Sequence, residues 1–303
     1  NQSTLRYIPT ANIFKTLRAI IVSDRIILHG GGPLILFVAT LASILGRKVI
    51  LDAFAPHWLE LFSANRQSGR SDWRHKFRMF VKIYFNYFRL IWARLCFHVI
   101  CAGTQRQIDL YRGITSQIGN LNLDEGIELI TGGCDTPLTL EKTRKDKLHF
   151  GWIGGIWYWF DYRPIIDAIV NLSNTGQKIE FHFFGVSTEK EAEVQAYIQS
   201  LKVTDTLIRF HPWVPYTERF ERWSFLDVAV VWSADTIEND YASRTRNFDC
   251  ITLKLPIIQN RDFFWSQIIT ENNCGYVLET EHMIGDAIAN YLNDRKILET
   301  HSK

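Results

Sequence analysis

The sequence has 303 residues with 34 Lys plus Arg against 32 Asp plus Glu, a formal net charge of +2. That near-balance excludes a dedicated nucleic-acid binder, which carries a large positive excess. Hydrophobic residues at 47% and charged residues at 22% exclude a disordered chain, and the length suits two domains of about 150 residues each.

Apolar runs alternate with helical patterns along the whole chain, which implies parallel sheets with crossover helices. In the first half, strands are expected at 25–28, 48–52, 98–102 and 127–131, with helices at 34–45, 72–95 and 104–112. The stretch 30–46 is the most apolar. At 17 residues, opening on three Gly and a Pro, it is short for a membrane span and reads as a buried helix after a strand. Residues 138–147 are polar and without apolar periodicity, and are taken as a linker between an N-terminal domain at 1–137 and a C-terminal one at 148–303. A second alternation follows, with strands at 149–154, 179–184, 207–211, 228–232 and 256–259. Helices are expected at 163–172, 189–201, 217–223, 244–253, 262–272 and 281–292. This half reads as a doubly wound domain, in which ligands bind beyond the carboxyl ends of the strands.

The five Cys form no C-x-x-C pair, so neither a disulfide framework nor a zinc ribbon is indicated, and a reducing, cytoplasmic setting is expected. HExxH, GxxxxGK[ST] and GxSxG are absent, so His29 with its following glycines is no esterase oxyanion loop. The chain starts with Asn and shows no signal peptide, and a trimmed N-terminus is expected.

The residues after each strand carry the chemistry. Gly154 and Gly155 permit close backbone approach to a phosphate or sugar, with Trp157 in an aromatic wall, or else simply make a tight turn. Trp213 and Val214 lie in a proline-stiffened loop that could present backbone groups to a flat base. Ser243, Arg244, Thr245 and Arg246 open a predicted helix and combine hydroxyls and two guanidiniums into an anion site, the alternative being a solvated helix start. Asp249, one turn on, could accept from ribose hydroxyls. In the first half, Asp52 at a strand end and Glu60 shortly after it could orient an acceptor hydroxyl or act structurally. Between 65 and 95, eight Lys or Arg interleave with aromatics. Such a helix suits an anionic membrane surface, or else a core helix with a solvated basic face.

These motifs resemble a branch of glycosyltransferase family 4. FGWIGGIWYWFD at 150–161 is similar to that branch's GGIWxWxDP, WVPYTER at 213–219 to WVPYxxR, and YASRTRNFDCITLKLP at 241–256 to FAxRTRxxDxLWxGLP. KVILDAFAPHWLE and CAGTQRQIDLYRG match the first half more weakly, with Ala55 where the pattern has a second Asp. The resemblance begins inside the family's N-terminal domain, so that domain is expected to be incomplete. It implies a GT-B fold, two Rossmann-like domains facing across a cleft. It further implies a nucleotide-sugar donor held by the second domain, and transfer with retention to a saccharide or lipid-linked acceptor in polysaccharide or glycolipid assembly. No cofactor or metal is implied. Tyr241 and Asp249 stand where many members of the family carry a pair of Glu residues. A GT-B-like nucleotide-sugar epimerase or hydrolase, or a degenerate nucleotide- or membrane-binding module, are the alternatives.

Overall fold

The computed structural model describes residues 12–29, 33–67, 72–96, 99–116, 125–138, 147–202 and 207–303. They fall into two compact units, Asn1–Thr131 and Gly132–Lys303. The second unit starts before the expected linker. Leu138 packs on its core, and the Leu138 N–H donates to the Thr252 carbonyl at 2.8 Å. Most of the linker, at 139–146, and the glycine turn at 30–32 lie outside the described residues.

In the first unit four strands, β1 (Arg25–His29), β2 (Lys48–Asp52), β3 (Val99–Ala102) and β4 (Ile127–Leu129), pair in parallel in that order. The helices are α1 (Ile13–Val22), α2 (Pro33–Ile44), α3 (His57–Gln67), α4 (Trp73–Cys96) and α5 (Gln105–Thr115). The apolar stretch forms α2 as expected, opening on a proline at the position where its missing N–H costs nothing and burying Ile35, Val38, Ala39 and Ala42. Among the described residues no helix is long and apolar enough to cross a membrane. Helices α1 and α3 were not anticipated. Asn12 caps α1, its side chain accepting from the Lys15 N–H at 3.1 Å.

The second unit holds β5 (Leu148–Ile153), β6 (Ile179–Phe184), β7 (Ile208–His211), β8 (Val228–Val231), β9 (Ile257–Asn260) and β10 (Gly275–Leu278). They lie in the order β10-β9-β8-β5-β6-β7, all parallel. Chain order reverses between β5 and β8, which makes their carboxyl ends the switch point where ligands bind in sheets of this kind. The helices are α6 (Arg163–Asn174), α7 (Thr188–Ser200), α8 (Arg219–Trp223), α9 (Ile237–Tyr241), α10 (Arg246–Thr252), α11 (Trp265–Glu271), α12 (Met283–Asn293) and α13 (Arg295–His301). Leu148, Phe150 and Trp152 alternate along β5 and are fully buried with Phe181 and Phe183 of β6 in one core, while Ile153 and Phe184 enter a second core on the opposite face.

Gly151 makes room for that second core: a Cβ there would stand 2.5 Å from a Leu226 methyl. Gly151→Ala should therefore cost about 1–3 kcal/mol by overpacking. In contrast, Gly285, inside α12 with open space around it, should gain up to about 1 kcal/mol on substitution by Ala. Urea unfolding of the two variants should shift the midpoint in opposite directions.

Candidate functional site

At the end of β5 the backbone turns through Gly154, whose φ of +93° is in the range that favours glycine. Its N–H donates to the Phe184 carbonyl at 3.0 Å, and its carbonyl accepts from the Trp152 indole at 3.0 Å. Gly185, just past β6 at φ +72°, brings its own backbone against it, since a Cβ on Gly185 would lie 3.4 Å from the Gly154 Cα. Two strand ends thus meet backbone to backbone. Trp157, over half exposed at 57%, stacks on Trp159 at 5.9 Å, and its indole lies 3.4 Å from where a Cβ of Gly155 would be.

The two arginines of the RTR segment differ sharply. Both were expected to face an anion. Arg244 instead is buried, and both of its terminal nitrogens are engaged. Its Nη2 donates to Asn239 Oδ1 at 2.7 Å and Asn260 Oδ1 at 2.9 Å, and its Nη1 to the Asn260 carbonyl at 3.2 Å. Its Nε lies 3.3 Å from Asp262 Oδ2 in a pair that is almost fully enclosed. Burial lowers its pKa while Asp262 and Glu238 hold it up. Arg244 is thus a structural tie between the segment before α10 and the end of β9.

Arg246 has no ion pair with any described residue. Its Nη2 donates to the Gly155 carbonyl at 3.0 Å, and its guanidinium carbon sits 4.1 Å from the Phe160 ring centre and 5.0 Å from that of Trp152. Its Nη1 is enclosed and meets no acceptor. Burial pushes its pKa down to about 9, with only a small upward push from Cys250 and a further downward one from Arg244. The group remains charged at neutral pH, a half-buried cation with no counter-charge among the described residues.

The other expected residues distribute around these two. Ser243 is buried with its Oγ unpartnered, Thr245 is exposed, and Tyr241 closes α9. The helix expected from 244 starts two residues later, with Arg246 as the first residue of α10 and no side-chain cap from Thr245. Asp249 is held by Arg219, whose Nε donates to its Oδ1 at 3.1 Å. Burial raises the Asp249 pKa and Arg219 opposes that rise. Arg219, which sequence reasoning passed over although it ends the WVPYTER motif, is buried. It also donates to the Tyr216 carbonyl at 2.7 Å and to Asp135 Oδ2 at 3.2 Å, and stacks 3.5 Å from the Tyr216 ring centre. It ties the loop after β7 to α10. In that loop Trp213 is exposed and Val214 packs on the second core. A groove of about 790 Å³ between α6 and α12 is lined by none of the expected residues.

In the first unit Asp52 and His29 stand opposite each other at the ends of β2 and β1, with Oδ2 and Nδ1 2.7 Å apart. Glu60 Oε2 lies 3.0 Å from His57 Nδ1. Burial raises the pKa of Tyr111 far above its usual value, and both carboxylates add to that rise. The Tyr111 hydroxyl donates to the Ala53 carbonyl at 2.6 Å. Each expected acid thus carries a histidine, and these pairings are what the sequence reading did not anticipate.

No protein-family model matches the sequence, and no curated protein is significantly similar to it. Solved structures are. HepE (Alr3699) of Anabaena, in complex with UDP and glucose, superposes with a TM-score of 0.66 at 12% identity over 95% of this chain and 74% of its own. Sucrose-phosphate synthase (tll1590) from Thermosynechococcus elongatus gives 0.66 at 15% identity, over 99% and 75%. The lipopolysaccharide outer core galactosyltransferase WaaB gives 0.57 at 9%, over 95% and 73%. The fold is GT-B. Two parallel α/β units of the kind found in these proteins carry the residues described above.

The contrast between the arginines is measurable within the GT-B scaffold. Asp262→Ala leaves Arg244 buried without the carboxylate it pairs with and only Glu238 to oppose its charge, and should cost about 3–5 kcal/mol of stability. Arg246→Ala removes an uncompensated charge and should leave the unfolding midpoint unchanged or raised. Chemical denaturation of both variants checks this.

Proposed function

We propose that this chain is a glycosyltransferase that moves a sugar from a nucleoside-diphosphate donor to a saccharide or lipid-linked acceptor, with retention. The observation that carries the reading is Arg246, a half-buried cation with no ion pair among the described residues and an enclosed, unpartnered Nη1, beside Gly154 and Gly155 at the switch point of a GT-B sheet. The GT-B neighbour HepE was solved with UDP and glucose, which supports a donor of that class.

In this reading the bond between the anomeric carbon and the diphosphate oxygen breaks, and its electron pair goes to the leaving diphosphate. Arg246 stabilises that growing charge more than it stabilises the intact donor, which is what lowers the barrier. A guanidinium supplies the positive charge there, so no metal ion is required at the diphosphate. The glycines let the phosphates approach the backbone, and Trp157 and Tyr241 flank the sugar. Trp213 and Val214 attend the base. Asp249 keeps one oxygen on Arg219 and offers the other to the ribose. The acceptor oxygen bonds to the anomeric carbon on the face that the diphosphate leaves, and its one proton passes to Asp52 or to Glu60, each backed by a histidine.

The same reading gives α4 a role. Trp73, Phe77, Phe80, Val81, Tyr84 and Phe88 are all exposed at three- and four-residue spacing, along one stripe of the helix. Arg74, Lys76, Arg78 and Lys82 flank it and are also exposed. This is the pattern of a helix lying in the interface of an anionic membrane, and it supports peripheral attachment on the cytoplasmic face.

Titration calorimetry with UDP should show Arg246→Ala binding more weakly by about 1.5–3 kcal/mol, the worth of hydrogen bonds to a charged group. An unchanged affinity removes Arg246 from the site. Donor turnover should require an acceptor. Turnover without one favours the epimerase or hydrolase alternative, and binding without turnover favours a degenerate module. For α4, the protein should float with vesicles containing phosphatidylserine. Replacing Arg74, Lys76, Arg78 and Lys82 by Gln should abolish flotation, at about 1 kcal/mol per charge.

A further inference from the structure

Away from the switch point, at the amino end of the face of β5 and β6 that carries the second core, lies a cluster that the glycosyl-transfer reading does not use. His149 Nδ1 lies 2.9 Å from His182 Nε2, and Glu180 Oε2 lies 3.6 Å from the first and 3.9 Å from the second. A circle through three points so spaced has a radius of about 2 Å, which is the bond length of zinc to imidazole nitrogen or carboxylate oxygen. We propose that His149, Glu180 and His182 form a binding site for one divalent transition-metal ion of the zinc class, with an open position for water.

The surroundings fit such an ion. His149 and Glu180 are register partners on adjacent strands, and His182 is two residues along the same face of β6. The His149 backbone is clamped by Asp227, whose carboxylate accepts its N–H and whose own N–H donates to its carbonyl, both at 2.8 Å. Phe225 meets both imidazole rings edge-on, at 5.5 Å and 4.9 Å between centres, and fixes their planes.

The second sphere is also in place. His182 Nδ1 lies 2.9 Å from His211 Nε2, so that its Nδ1–H donates there and its Nε2 lone pair is left for the metal. Burial, with His149 and His211 beside it, pushes the His182 pKa down to about 3, so the ring is neutral at physiological pH, as a ligand must be. Burial would lift the Glu180 carboxyl, yet Lys147, Arg209 and His149 hold it below its usual value. Lys147 and Arg209 reach Oε1, at 3.1 Å and 3.5 Å, and leave Oε2 for the ion. Without metal, a proton on His149 Nδ1 bridges the two rings. Loading moves that proton to Nε2 of the same ring, so no net charge leaves the protein.

Gly154 lies five residues along β5 from His149, roughly 16 Å at the rise of a strand, so the ion would brace the sheet rather than touch the donor. The test uses the whole chain after chelator treatment, titrated with cobalt(II) and then zinc. One cobalt per chain should appear with the intense visible bands of a four-coordinate ion, and zinc should displace it and raise the melting temperature. His149→Ala and the isosteric Glu180→Gln should each lose those bands and weaken cobalt binding at least tenfold, while UDP affinity stays unchanged. Bands that persist in both variants, or a wild-type spectrum identical to that of the hydrated ion, would overturn the site.

Discussion

A positive charge partly withdrawn from water and given no carboxylate among the described residues, on Arg246, is the constraint around which the second unit is arranged. Removing a guanidinium from water without an anion is costly, and the fold offsets only part of that cost. One carbonyl, from Gly155, and two aromatic faces, Phe160 and Trp152, are what it provides. Two residues away, the same chain gives Arg244 two amide oxygens, a carbonyl and a buried carboxylate. A sequence that gives one buried arginine a carboxylate and leaves its neighbour without one stores electrostatic energy at a defined point. An anion arriving there recovers it, and an anion whose charge grows during a reaction recovers more.

The compensated arginine is what keeps the other one in position. Arg244 reaches Asn260 and Asp262 at the end of β9. Asn260 in turn exchanges hydrogen bonds with the Ser233 backbone after β8, accepting at 3.1 Å and donating at 2.9 Å. Gln259 receives Asn247 at 2.7 Å and passes to Asp262 at 3.2 Å. These buried polar groups form a connected network that locks the segment leading into α10 to two strand ends. A rigid mount matters because a mobile guanidinium would turn towards solvent and lose the desolvation that gives it its strength.

Much of this was legible in the residues. The alternation of apolar runs and helical patterns placed every strand of both sheets except β10, and the glycine pair and the WVPYTER loop fall just beyond strand ends, while the RTR segment follows α9. What could not be read were partners distant in sequence. Arg244 and Arg246 are chemically the same letter, and only Asn260 and Asp262, supplied by the next strand, separate their roles. Arg219 ends its motif as an ordinary charged residue until α10 brings Asp249 to it. Strand β10 was missed because Gly275–Leu278 is four residues long and opens on glycine, a poor strand former by propensity. The packing explains that glycine: at φ +154° a Cβ there would lie 2.0 Å from the Ile257 carbonyl oxygen. His149, His182 and His211 are separated by about thirty residues at each step, and only parallel pairing lines them up.

That pairing connects the two ends of the unit. The register that sets His149 opposite Glu180 also sets Ile153 opposite Phe184, and so delivers Gly154 and Gly185 to their close approach. A slip of one residue between β5 and β6 would turn every side chain to the other face. Leu148, Phe150 and Trp152 would leave their core, the histidine pair would part from the carboxylate, and the glycine turn would no longer present the Gly155 carbonyl to Arg246. The backbone pairing of β5 and β6, set by their buried alternation, therefore fixes both places at once, with no direct contact between them.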